Sequence, residues 1–174
     1  PDWTRRGIWN RSYSESRSAQ VPAMLLELLS HQNFADMRYG LDPLFRFTVS
    51  RAIYKGMLRY LSSTENFEYI VQPLPVQGIS VDFSGNGKAL LTWKPPYDIL
   101  EPTALAQGYV VYTRTGDQSQ AFDQGVFYSG NSAEIPIREG THYSFRVTAV
   151  NRGGESFPSE TVSLFKVPAS DEKG

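Results

Sequence analysis

The sequence predicts two unlike parts: an α/β fragment, made of one buried strand and a long C-terminal helix, followed by an all-β sandwich. Three observations predict this. Val21 to Leu29 is apolar almost without a break. From Phe45 to Leu61 apolar residues recur at helical spacing. From residue 75 onward, short apolar alternations are separated by turn residues. The expected organisation is an α/β part at residues 1–64, a linker at 65–74, a sandwich at 75–169 and a disordered tail at 170–174.

The run Val21-Pro-Ala-Met-Leu-Leu-Glu-Leu-Leu29 lacks alternation, so as a strand it would be buried on both faces. A polar turn, Ser30-His-Gln-Asn33, follows. Asp42-Pro43 then supplies a helix N-cap and a proline at the first helical position. Phe45, Val49, Ala52, Ile53, Gly56, Met57, Tyr60 and Leu61 form the apolar stripe of the helix. Arg51, Lys55 and Arg59 stack at four-residue intervals and read as a solvated face. One strand and one helix do not make a domain, because a doubly buried strand needs neighbours at both edges and cover on both faces. Residues 1–20 offer at most one more strand near Gly7-Ile-Trp9, while Ser12 to Ser18 reads as a polar loop. Residues 1–64 are therefore expected to be the tail of a larger α/β domain. The opening Pro1-Asp-Trp, without an initiator Met, fits a processed product or a piece of a longer chain.

In the second part Ile79, Val81 and Phe83 alternate before the turn Ser84-Gly-Asn-Gly87. Ala89, Leu91 and Trp93 point one way in the next strand, which Pro95-Pro96 closes. Tyr109, Val111 and Thr113 follow, then Ile135 and Ile137, then Tyr143, Phe145, Val147 and Ala149. Trp93 is expected in the core. The stretch Pro95 to Gln107 is expected to fold over its own sheet edge.

Net charge is −1 in 174 residues, which removes the long-range attraction a nucleic-acid or anionic-membrane binder needs. No apolar run approaches the length of a membrane span. Cysteine is absent, so disulfide and thiol chemistry are excluded, while the compartment stays open. No Gly-rich phosphate loop or serine-nucleophile motif is present.

Two resemblances add to this. Leu-Thr-Trp93, Tyr109-Val-Val-Tyr112, Gly140 to Asn151 and Gly154-Glu-Ser-x-Pro-Ser159 resemble a fibronectin type III module from its second strand to its last. Tyr143 falls where that family's corner tyrosine bonds back to the chain. Arg6-Gly-Ile, Val21-Pro-Ala-Met-Leu-Leu-Glu27, Asn33 and a long closing helix resemble the C-terminal third of zinc-dependent N-acetylmuramoyl-L-alanine amidases. Leu-Leu-Ser-His-Gln-Asn-Phe-Ala-Asp-Met is similar to exported bacterial proteins labelled xanthan lyase, which join such a domain to a fibronectin type III module. The resemblance implies export, a peptidoglycan or polysaccharide partner, and zinc in the complete protein. It also implies a missing N-terminal part that holds the zinc ligands.

Carried over residue by residue, only Glu27 has a counterpart, as the general base beside the metal. The family's Gly-Phe after the glutamate is Leu28-Leu29 here. From the residues alone two readings of Glu27 stay open: acid–base work at the carboxyl end of a buried strand, where open α/β sheets place their ligands, or pairing with Arg6, Arg11 or Arg17 or capping of the next turn. His31 lies four residues on and His142 belongs to the sandwich, so no complete metal site is expected in this chain. The chain alone is expected to be inactive. A lyase activity finds no base and charge-neutralising pair in the sequence. The rival reading is a non-catalytic binding or adhesion protein whose sandwich docks carbohydrate or protein. Tyr97, Tyr112, Phe122, Phe127 and Tyr128 are the candidate aromatic platform.

Overall fold

The computed structural model describes Thr4 and residues 7–167; Arg6 and the tail at 170–174 lie outside the described residues. Two compact units, Pro1–Ile53 and Tyr54–Gly174, divide the chain within its long helix.

The first unit is helical and irregular. A single turn, α1 (Ser14–Arg17), stands where the serine-rich sequence reads as a loop. Helix α2 (Phe34–Gly40) was not expected from the sequence. Asn33 caps it, accepting from the Ala35 and Asp36 amides at 2.9 and 3.4 Å. Helix α3 (Pro43–Glu65) begins as expected, with the Asp42 carboxylate accepting from the Leu44 amide at 2.8 Å.

The buried strand at Val21–Leu29 does not form. The segment is irregular, and Val21, Met24, Leu25, Leu26 and Leu28 are exposed. No described residue before Gln77 is in a strand, so the run has no ladder to join. Leu29, at φ 61, also leaves the extended region. Gly7-Ile-Trp9 is irregular too.

In the second unit two sheets form the sandwich. β1 (Gln77–Gly85), β2 (Lys88–Lys94) and β5 (Ser132–Pro136) make one, in the order β1-β2-β5. β4 (Val126–Tyr128), β3 (Gly108–Thr115), β6 (His142–Asn151) and β7 (Gly154–Glu155) make the other, and β8 (Val162–Phe165) also pairs with β6. The β1–β2 hairpin turns at Asn86-Gly87, whose φ values of 50 and 69 suit a two-residue primed turn. Alternation sends Ile79, Leu91, Trp93, Tyr109, Val111, Phe145 and Val147 into the core. Trp93 packs edge-on against Tyr109 at 5.3 Å between ring centres, and its Nε1 has no hydrogen-bond partner among the described residues. The Tyr143 hydroxyl accepts from the Arg138 amide at 3.0 Å, the bond expected of the corner tyrosine.

The sequence reading of α3 needs correction in its second half. Met57, Tyr60 and Leu61 of the expected apolar stripe are exposed, whereas Tyr54, Lys55 and Leu58 are partly covered. Lys55 is not a solvated cation: its Nζ lies 3.3 Å from Glu101, a carboxylate only 5% exposed. Tyr69 and Thr103 donate to the same carboxylate at 2.9 and 2.8 Å. Arg59 lies over the Tyr69 ring at 5.2 Å. The segment between α3 and β1 becomes a strap on the sandwich. Val71 is fully buried, its amide donates to Thr103, and its carbonyl accepts from Asn151 at 2.9 Å. Gly153 sits so close to the Ile70 and Val71 backbone that any side chain there would collide. The polar contacts at Glu101 outweigh the apolar stripe because a buried charge left without donors is costly.

Burial pushes the Glu101 carboxyl up, but the bonds from Thr103, Tyr69 and Lys55 together hold it below its ordinary 4.5. A depressed carboxyl contributes stability above its unfolded value and loses it as pH falls through the folded value. Glu101→Gln should therefore cost roughly 1.5–3 kcal/mol at neutral pH, the range for hydrogen bonds to charged groups. The gap to the unsubstituted chain should close as pH is lowered below 4.5. Denaturant unfolding across the acid range checks this; a gap independent of pH refutes it.

Candidate functional site

The residues singled out for chemistry in the first unit are not assembled. Glu27 is exposed on the irregular segment, and His31 is exposed in the turn after it. Among the described residues no three His, Cys, Asp or Glu come together as a metal group. A cavity of about 390 Å³ beside α2 is lined by Phe34, Ala35, Arg38, Tyr39 and Asp42, and includes neither residue. His142 is exposed on the sandwich and stacks on Phe165 at 4.1 Å. No described helix is long and apolar enough to cross a membrane.

The aromatic platform is also divided. Tyr128 packs against the sandwich core, while Phe127 and Tyr97 are exposed. Phe127 lies over Gly108, where a side chain would collide with its ring. Tyr112 and Phe122 are the two that share a site.

That site lies on the outer face of the five-stranded sheet. Alternation turns Tyr109, Val111, Phe145 and Val147 inward, leaving Tyr112, Arg146 and Thr148 for the opposite face. Tyr112 and Arg146 are direct cross-strand partners. The loop after β3 is tied back at Asp123, whose carboxylate accepts from the Thr113 amide at 2.7 Å while its own amide donates to the Thr113 carbonyl at 2.9 Å. This brings the Phe122 ring against two guanidinium groups, Arg114 at 4.8 Å and Arg146 at 4.5 Å. Arg114 is occupied elsewhere, donating to the Gln118 carbonyl and the Ser144 hydroxyl. Gly125 lets the chain lie against Val110 and Tyr112, since a side chain there would strike both.

The other wall follows β7. The Ser156 and Ser159 hydroxyls accept from the Ala149 and Val147 amides at 2.9 and 3.1 Å. Their own amides donate back to the same residues, so the segment runs along β6 without being a strand. This holds Glu155 over the sheet. One Glu155 oxygen accepts from the Tyr112 hydroxyl at 2.7 Å and from the Thr148 hydroxyl at 2.6 Å. Arg146 is fixed through Nε, which donates to Thr161 at 2.8 Å. Together Tyr112, Phe122, Arg146, Thr148, Glu155, Ser156 and Pro158 line a shallow cavity of about 290 Å³. Sequence reading found Tyr112 and Phe122 but missed Arg146, Thr148 and Glu155. The even-numbered polar residues of β6 were the available clue, because period-2 alternation puts them on one face.

A family model described as Fibronectin type III domain matches residues 74–165. Among solved structures, the twitchin kinase region from C. elegans is 24% identical, with a TM-score of 0.49, over 59% of this chain and 18% of that chain. The third fibronectin III domain of human KIAA0343 protein is 17% identical, with a TM-score of 0.47, over 60% of this chain and 90% of that chain. The fibronectin type-III domain of human fibronectin type III domain containing protein 3 is 20% identical, with a TM-score of 0.46, over 59% of this chain and 94% of that chain. The chain thus spans less than a fifth of the twitchin region. No curated protein matches.

The bond to Glu155, with burial and the nearby negative charge, pushes the Tyr112 phenol up to about 12 from its ordinary 10.0. A raised phenol contributes stability below its unfolded value and loses it as pH rises through the folded one. In Glu155→Gln, Tyr112 should ionise closer to 10.0. Carbon NMR of ring-labelled tyrosine, with Tyr112→Phe for assignment, reads the shift; an unmoved titration refutes the coupling.

Proposed function

The chain belongs to the fibronectin type III family through residues 74–165, and on that premise we propose that it is the C-terminal portion of an exported, peptidoglycan-directed amide hydrolase with the sandwich as its accessory module. One observation carries the catalytic half of this reading. The segment around Glu27 is apolar, and Val21, Met24, Leu25, Leu26 and Leu28 are exposed. An apolar run of this kind is stable when another surface covers it. Neighbouring strands and helices from the complete protein would supply that surface and bring Glu27 to the end of a buried strand, where open α/β sheets bind ligands. The order of Arg6-Gly-Ile, Val21 to Glu27, Asn33 and the closing helix supports the same assignment.

In this reading Glu27 takes the proton of the water that attacks the amide carbonyl. Zinc belongs to the reading through the resemblance alone. The described residues do not fit a zinc site, and no step through the metal follows from them. Export is required by the substrate, since peptidoglycan lies outside the cytoplasmic membrane. The accessory role of the sandwich comes from the resemblance to proteins that join such a domain to a fibronectin type III module. A second reading, a non-catalytic binding protein, is favoured by one feature, the cavity between Arg146 and Glu155.

The test is Glu27→Gln in the complete protein, assayed by release of stem peptide from peptidoglycan. A general base contributes on the order of 100- to 10,000-fold, so a fall of that size is expected. An unchanged rate rejects the catalytic assignment and leaves the binding reading.

A further inference from the structure

We propose that the cavity on the outer face of the five-stranded sheet is a binding subsite for one neutral pyranose unit of a polysaccharide, with Arg146 as donor and Glu155 as acceptor. The inference goes beyond the hydrolase reading and stands whether or not Glu27 is catalytic.

Four observations lead to this ligand. The first is size: at about 290 Å³ the cavity lies at the lower end for small-molecule sites, and suits one sugar ring better than a larger ligand. The second is hydrogen-bonding capacity. Arg146 uses Nε on Thr161, and its terminal nitrogens have no hydrogen bond among the described residues. Glu155 receives Tyr112 and Thr148 on one oxygen, and its other oxygen accepts from no described residue. Guanidinium only donates and carboxylate only accepts, so the ligand must offer both acceptors and donors within one small unit. Vicinal hydroxyls do this.

The third observation is charge. One guanidinium and one carboxylate line the cavity, so they favour a neutral ligand over an acidic one. The fourth is preorganisation. Phe122 stacks on Arg146, Thr161 holds its Nε, and Glu155 is held by a threonine that is only 4% exposed. Polar groups already fixed lose little freedom on binding. Tyr112 and Pro158 add ring surface to the lining, against which the C–H face of a pyranose can rest.

The test is amide NMR of this chain titrated separately with the methyl glycosides of glucose, galactose, mannose and N-acetylglucosamine. At least one should give saturable shifts centred on Arg146, Thr148, Glu155 and Ser156. Glu155→Gln keeps an acceptor for Tyr112 and Thr148 but turns the unused acceptor into a donor, so it should weaken binding at least tenfold without unfolding the sandwich. Arg146→Lys keeps the charge but loses the planar fork, and should weaken it similarly. The proposal is overturned by the absence of shifts with all four glycosides, by shifts centred elsewhere, or by affinity unchanged in both variants. Glucuronic acid or D-alanyl-D-alanine shifting these amides while the neutral glycosides do not also overturns it.

Discussion

A carboxylate taken out of water must find donors, and Glu101 finds them in three separate stretches of chain. Lys55 comes from the helix, Tyr69 from the strap, and Thr103 from the turn beside Glu101 itself. Buried ion pairs of this kind are weak sources of net stability, because desolvation offsets most of the attraction. Their effect is to select geometry. Lys55 meets the carboxylate from one turn of the helix, and a slide by one turn would bring a different side chain there. Asn151 does the same for the backbone: its side-chain nitrogen donates to the carbonyls of Val71, Thr103 and Leu105. Strap, turn and sheet end are thereby held at one point.

The same sheet does two jobs because its side chains alternate. Inward residues of β3 and β6 close the core around Phe145, Val147 and Val111. Outward residues carry an ordered set of polar groups instead of a random solvated surface. Phe122 lies against both Arg114 and Arg146, and Glu155 joins Tyr112 to Thr148. A network this connected restricts the rotamers of long side chains before any ligand arrives, which is how a shallow surface can become selective.

The sandwich was legible because its determinants are local. Alternation fixed which of Leu91, Trp93, Tyr109 and Phe145 face inward, Asn86-Gly87 marked a hairpin, and Tyr143 marked a corner. The N-terminal half was less legible, since an unbroken apolar run states only that burial is favourable. Whether Val21–Leu29 becomes a strand depends on partners that no described residue supplies. The helix face was misread for a related reason. Lys55 and Arg59 look solvated along the helix, and the groups that engage them, Glu101 and Tyr69, lie on other stretches of chain. The outer-face cavity falls between these cases. Arg146 and Thr148 follow from the pleat, but Glu155 reaches them only through the bend at Gly154, which has φ 126.

The strap bears on where such a module can be excised and grafted. The family match begins at residue 74, yet Val71 and Pro73 are already among the fully buried side chains. A cut at the match boundary would empty the socket of Val71 and leave the Asn151 amide without one of its carbonyls. Glu101 would keep Thr103 alone. The stretch defined by family likeness is therefore shorter than the stretch that seals its own interior. A transplant meant to keep this sandwich intact has to begin upstream, within α3, before Lys55.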